Sequence, residues 1–191
     1  MIILGVDPST SNVGVGVIRL NNNEIELVAM HSLNPRSKDI FERYKSIYGD
    51  ISNLAEVYKP DYAGIEDQWS GINKQTLIKL SFVTGLTWAG VHTHSDAKID
   101  IIYPTTWRKL ALGSGKAKKE DVIEFVTDKF GLKTDKKTLS DPYEAVGIAI
   151  AVARRIADKE ELTFCPVESP IGRVSRNGTN TTRAFSKIEK R

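Results

Sequence analysis

The 191-residue chain holds one cysteine, two methionines and three histidines, and no long apolar run. A single cysteine, Cys165, excludes an internal disulfide and any cysteine-rich metal site, and it fits a reducing compartment. No apolar stretch approaches the roughly 20 residues of a membrane span. His92 and His94 stand two apart with no other soft ligand beside them, so a zinc site is not expected. Neither sign of charge dominates: 27 Lys and Arg oppose 24 Asp and Glu, a net +3. Overall charge is therefore a weak argument for a polyanionic partner, and its distribution matters more. There is no internal repeat. The N-terminus enters an apolar strand directly, without the basic and apolar segments of a secretory leader, so a cytoplasmic protein is expected. GSGK, Gly113 to Lys116, lacks what a nucleotide-hydrolase phosphate loop requires. That pattern needs Gly where Leu110 stands and Ser or Thr where Ala117 stands.

What is present is an ordinary globular composition, 40% hydrophobic and 27% charged, long enough for one domain with a sizeable core. Its organising stretch is GVDPSTSNVGVGVIRL, Gly5 to Leu20. Ile2, Ile3, Leu4 and Val6 form the near-continuous apolar run of a strand covered on both faces. Asp7-Pro8-Ser9-Thr10 stops that strand, because Pro removes a donor and Asp and Ser turn the chain locally. A second strand follows, with Val13, Val15 and Val17 alternating against Gly14 and Gly16, which leaves one face with little bulk. After the turn at Asn21–Asn23, a third strand over Glu24–Ser32 completes an antiparallel meander. Asp39 with Glu42 reads as a capping box opening a helix that carries Ile40, Tyr44, Ile47, Ile51, Leu54 and Val57, until Pro60 stops it. Asp61–Asp67 is a fourth strand, Asn73–His94 a second helix and Lys98–Tyr103 a fifth strand. A short helix is expected from Pro104, another over Lys118–Phe130 and a last over Ser140–Asp158. This is an α/β layered pattern. It predicts a five-stranded mixed sheet in order 3-2-1-4-5 with helices on both faces.

That order puts Asp7 and Glu66 at the same edge of neighbouring parallel strands, beyond whose carboxyl ends ligand sites form. Taken alone, Asp7 could equally hydrogen-bond the Ser9 and Thr10 backbone. Two close carboxylates repel unless a proton or divalent cation lies between them, and hard oxygen ligands suit Mg²⁺ or Mn²⁺. Asp141 and Glu144, in SDPYEAVGIAIAVARR, have a plain alternative reading as a capping box, with Asp141 the N-cap and Pro142 the first helical residue. The helix that follows is apolar enough to be buried against the sheet. If it lies beside the first and fourth strands, all four carboxylates converge.

Arg108, Lys109, Lys116, Lys118 and Lys119 form a basic run without an acid until Glu120. It is either a solvated face or a set of phosphate contacts. Trp69, three residues after Glu66 in a polar loop, either covers the core or stacks on a nucleobase. From Pro166 the composition shifts. Arg173, Arg176, Arg183, Lys187, Lys190 and Arg191 face only Glu168 and Glu189. Residues 1–165 are thus expected to form the domain, and 166–191 a basic, flexible tail.

The motifs GVDPSTSNVGVGVI, AGIEDQW, LGSGKAKKEDV and DPYEAVGIAIA resemble the RuvC family of Holliday-junction resolvases, RNase H-like nucleases, especially small phage-type members. The likeness spans about residues 1–158. It implies an RNase H-like fold and a structure-specific endonuclease on four-way junctions, forks or flaps, acting as a homodimer and leaving 5′-phosphate and 3′-hydroxyl ends. It also implies two divalent ions per site, Mg²⁺ with Mn²⁺ substituting, on Asp7, Glu66, Asp141 and Glu144. Lys119 matches the family's catalytic lysine, Trp69 the aromatic at the strand crossover, and Arg108 or Lys109 a second basic position. Three features depart from the family pattern: Glu144 stands where Asp is common, Ser9 where Gly is usual, and the tail has no counterpart. If phage-encoded, the protein would act in the host cytoplasm. Two other classes differ in what they need. An actin-like or sugar-kinase ATPase needs two such domains around its nucleotide, and a non-catalytic junction-binding protein has no use for four acids.

Overall fold

The computed structural model describes residues 1–68, 71, 73–133, 139–157 and 161–167. Strands β1 (Ile2–Asp7), β2 (Val13–Asn21) and β3 (Glu24–Leu33) form the expected antiparallel meander. Helix α1 (Ile40–Tyr58) follows, then β4 (Tyr62–Glu66), α2 (Lys74–His94) and β5 (Lys98–Ile102). Three helices come next, α3 (Pro104–Leu112), α4 (Lys119–Phe130) and α5 (Asp141–Ile156), and then β6 (Thr163–Cys165). The sheet runs β5-β4-β1-β2-β3-β6, with β4 parallel to β1 and β5 parallel to β4. The predicted order is present, and a sixth strand extends it. β6 joins the outer edge of β3 in parallel. Three residues carry too little alternation to be read as a strand beforehand.

Alternation along the strands divides the core in two. Leu4, Val6, Val13, Val15 and Val17 face α1 and α2, while Ile3, Ile18 and Leu20 face α3, α4 and α5. Gly5, Gly14 and Gly16 lie on the second face. A Cβ on any of them would overlap the α5 backbone, at Ala145, Asp141 and Val146 respectively. The low-bulk face of β2 is therefore the seat of α5, and its backbone rests directly on the sheet. Every α5 residue from Pro142 to Ala153 is buried. Ile148 and Ile150, both fully enclosed, contribute about 1.5–3 kcal/mol each by leaving water.

Two expectations at helix ends need correction. Asp141 does not cap α5. Ser140 is the N-cap, its carbonyl accepting from the Tyr143 and Glu144 amides, so Asp141 is the first helical residue. Pro142 accordingly stands one position later than expected, and the side chains of Asp141 and Glu144 are free for other partners. Asp39 does cap α1, accepting from the Phe41 and Glu42 amides at 2.8 and 3.0 Å, but the expected box does not close, since its own amide donates to Ser37 Oγ at 3.1 Å. At the other chain end, Val167 donates its amide to the Phe130 carbonyl at 2.9 Å. The tail beyond it, 168–191, lies outside the described residues.

Candidate active site

Register fixes the first two carboxylates. Val6 pairs with Ile65 across parallel strands, so Asp7 and Glu66 are the next step on each. Asp7 shares the face of Ile3 and Gly5, and Glu66 that of Gly64, whose Cβ would meet Val152 and Ile148 of α5. Both acids therefore point to the α5 side. Since the α5 start rests on Gly14, the Asp7 partner in β2, Asp141 and Glu144 arrive at the same corner. Ligand oxygens of Asp7, Asp141 and Glu144 all lie within 4.8 Å of one another.

Three of the four acids, Asp141, Glu66 and Glu144, are held by neighbours. Asn12 donates its side-chain amide to Asp141 Oδ2, and Ser32 Oγ donates to Asn12 Oδ1 at 2.5 Å. The indole Nε1 of Trp107, fully buried in α3, donates to Glu66 Oε2. Glu144, only 2% exposed, is gripped from both sides. Arg108 Nη2 lies 2.7 Å from its Oε1 and Lys119 Nζ 2.8 Å from its Oε2. Lys119 also reaches Asp141 Oδ1 at 3.8 Å, and Arg108 lies over the Trp107 ring, 4.7 Å from its centroid.

The electrostatics follow from this crowding. Burial, and then the charges of Glu66, Glu144 and Asp141, push the Asp7 carboxyl well above its ordinary range, against a smaller downward pull from Lys119. Glu66 is also raised, chiefly by burial, although the Trp107 hydrogen bond and Arg108 oppose the rise. Burial pulls Lys119 down, but its bond to Glu144 and the charges of Glu144, Asp7 and Asp141 prevail, so the ammonium is held above its usual value. Four carboxylates against two cations leave a formal excess of two negative charges. The donors are all hard oxygens, and a divalent cation of the Mg²⁺ or Mn²⁺ class fits them.

The structure thus brings together Asp7, Asp141, Glu144 and Lys119, and sets Glu66 on the adjacent strand end, bound to Trp107 and outside the group of oxygens that lie within 4.8 Å of one another. It turns Arg108 inward to Glu144, where a phosphate contact was one expectation. Lys118 is the exposed N-cap of α4, and Lys109 and Lys116 line a different cleft with Arg154 and Arg155. Trp69 lies outside the described residues. Sequence reasoning missed Asn12, Ser32 and Trp107. A signal existed for Trp107, since a buried tryptophan beside polar residues needs a partner for its N–H.

The family model described as crossover junction endodeoxyribonuclease RuvC matches residues 3–153. The protein of that name from Cupriavidus metallidurans is 32% identical over 155 residues, covering 80% of this chain and 83% of its own. The one from Nitratidesulfovibrio vulgaris is 28% identical over 148 residues, covering 78% and 87%. Among solved structures, Thermus thermophilus RuvC in complex with a Holliday junction substrate superposes with a TM-score of 0.72 at 20% identity, covering 82% of this chain and 94% of that one. These are bacterial proteins, so nothing in them supports narrowing the likeness to phage-type members.

Proposed function

The chain belongs to the RuvC family of crossover junction endodeoxyribonucleases, and from that premise we propose that residues 1–165 form a metal-dependent nuclease resolving four-way junctions by paired nicks. The products are 5′-phosphate and 3′-hydroxyl ends. The observation that carries this reading is the convergence of Asp7, Asp141 and Glu144 oxygens within 4.8 Å at the carboxyl edge of the sheet. Asp7, Glu66, Asp141 and Glu144 would hold Mg²⁺, with Mn²⁺ substituting and two ions per site. Bound there, the ions supply Lewis-acid polarisation of a phosphodiester and make water a competent nucleophile at neutral pH.

The chain's own residues do the rest. Asn12 and Trp107 hold the Asp141 and Glu66 carboxylates in place, so they need not reorganise as charge moves. Lys119 stays protonated at neutral pH and offers a positive charge beside the scissile phosphate. Arg108 offsets the buried Glu144, which would otherwise be a costly desolvated anion. Lys109, Lys116 and Lys118 contact backbone phosphates, and Trp69 stacks on a base at the crossover. In a bacterial cell, like those of the relatives above, a protein that acts on branched DNA would work in the cytoplasm. Among the described residues, no helix is long and apolar enough to cross a membrane.

A single carboxylate cluster makes a single nick, whereas a two-fold-symmetric junction needs two in opposed strands. We therefore propose a homodimer with α2 at the contact. What supports it is the face that α2 leaves open: Ile78 is 52% exposed, Phe82 56% and Trp88 49%. Phe82 stacks on the buried Tyr44 of α1, and Phe41, 73% exposed, meets the same ring edge-on and extends the patch.

The test is a labelled four-way junction, fork, flap and linear duplex incubated with Mg²⁺, with nick positions mapped. The reading expects paired, symmetric nicks in the junction and an uncut duplex. ATP turnover without nicking, or junction binding without nicking under any divalent ion, would contradict it.

A further inference from the structure

A cleft of about 1120 Å³ opens between α3, the turn after it and the carboxyl end of α5. Lys109 and Thr105 of α3, Gly115 and Lys116 of the turn, and Arg154 and Arg155 of α5 line it. Its charge is one-sided. Arg155 pairs with Asp100 of β5, but among the described residues no ion pair engages Lys109, Lys116 or Arg154. The turn is GSGK, the motif that fails as a nucleotide-hydrolase loop. It is held firmly all the same. The Lys116 amide donates to Ser114 Oγ at 3.3 Å, and a Cβ on Gly115 would come within 2.7 Å of the Thr105 carbonyl oxygen. Glycine there lets the turn close onto the first turn of α3, which sets Lys116 beside the amino end of that helix, where partial positive charge gathers.

The cleft is separate from the carboxylates. Arg108 and Lys109 are neighbours on α3, yet Arg108 turns to Glu144 while Lys109 faces the cleft. Along α5, Glu144 and Asp141 lie ten and thirteen residues before Arg154, about 15–20 Å at the helical rise. No aromatic side chain lines the cleft, so nothing there stacks on a base. What it offers is cations and the hydroxyls of Thr105 and Thr106, the groups that fix a nucleic-acid backbone in place without reading sequence.

We propose that this cleft is a second phosphate-binding site, which takes the backbone of one duplex arm roughly four to six nucleotide steps from the cut. The proposal rests on the junction-nuclease reading and adds to it Arg154, Arg155 and the GSGK turn. Its function is to fix the angle at which an arm leaves the crossover, and so to align the scissile bond with the carboxylates.

The experiment compares wild type with Lys116→Ala/Arg154→Ala by fluorescence anisotropy on four-way junctions in Ca²⁺, across a salt series and with arms of two lengths. The slope of log affinity against log salt should fall by roughly 0.9 for each phosphate that is no longer neutralised, about 1.8 for the pair. Shortening the arms from two helical turns to about four base pairs should weaken wild type but leave the double variant's affinity unchanged. Lys116→Arg/Arg154→Lys should restore both the slope and the arm-length response. If the alanine pair fails to fold, the Lys116→Gln/Arg154→Gln pair carries the same comparison. A double variant with the wild-type slope and arm-length response, in a protein that still nicks junctions, overturns the cleft and the Lys116 phosphate contact while leaving the nuclease reading standing. A wild type that binds neither junction nor duplex overturns the nuclease reading and the cleft with it.

Discussion

Trp107 shows what a single residue contributes here. It is fully buried, fills the space that a Cβ on Gly147 would need, and directs its N–H to Glu66. Trp107→Phe keeps most of that volume and removes the donor. The Mg²⁺ concentration for half-maximal nicking should rise about 10–100-fold, the usual effect of losing a group that orients a metal ligand. An unchanged Mg²⁺ titration would mean that the hydrogen bond does not orient Glu66. The four acids were legible because each stands at a strand or helix end in a recognisable motif, and Lys119 only through the family resemblance. Their supports were not, since Asn12 and Asp141 are 129 positions apart and no periodicity pairs them. Nor could spacing decide whether Arg108 met a phosphate or Glu144, since a basic run looks the same in both cases. Another residue, away from the site, sets a pH dependence. Burial lowers His31 to about 4, and its Nε2 lies 2.9 Å from the Tyr58 hydroxyl. Between pH 6.5 and 4 the unfolded chain takes up a proton that the folded one refuses, so stability falls as pH falls. The loss reaches at most about 3 kcal/mol and is complete near pH 4. Asp7 and Glu66, raised by burial, contribute the opposite slope, so the check is a difference: melts of His31→Leu should lack the His31 loss relative to wild type over the same window.

Among the elements, α5 does most to assemble the site. Its apolar run and the glycines of β2 were each visible in the sequence, one as a helix needing burial and the other as a strand face without bulk. That the two meet backbone to backbone is a tertiary fact, and it is why Asp141 reaches the carboxyl edge at all. The capping-box reading failed for a related reason: it assumed that the carboxylates serve the helix, whereas Ser140 begins it and leaves them to the site. β6 was invisible because its pairing with β3, not its sequence, makes it a strand. Gly14→Ala would force the Asp141 carbonyl and α5 off the sheet. Overpacking of this kind costs about 3 kcal/mol or more, a fall in Tm of roughly 6–12 °C. Nicking should fail at temperatures where the variant is still folded, because Asp141 no longer meets Asp7. A variant with wild-type Tm and activity would mean that α5 does not rest on Gly14.

For the whole molecule, symmetry is what connects structure to task. The proposed contact is the apolar face of α2, where Ile78, Phe82 and Trp88 are about half exposed. Light scattering at micromolar concentration should return twice the chain mass for wild type and the monomer mass for Phe82→Glu/Trp88→Glu. On a supercoiled cruciform plasmid, wild type should yield linear product directly, while the charged pair accumulates nicked circles. A wild type of monomer mass that releases nicked circles first would contradict the dimer. The central claim, that the carboxylates around Asp7 form a metal centre cutting branched DNA, has one direct measurement. Asp7→Asn keeps the size of the side chain and removes the charge that burial and three neighbouring acids already strain. On a labelled four-way junction in Mg²⁺, cleavage should fall by orders of magnitude while binding, measured on the same substrate, holds or tightens. Equal cleavage rates for Asp7→Asn and wild type would contradict the account.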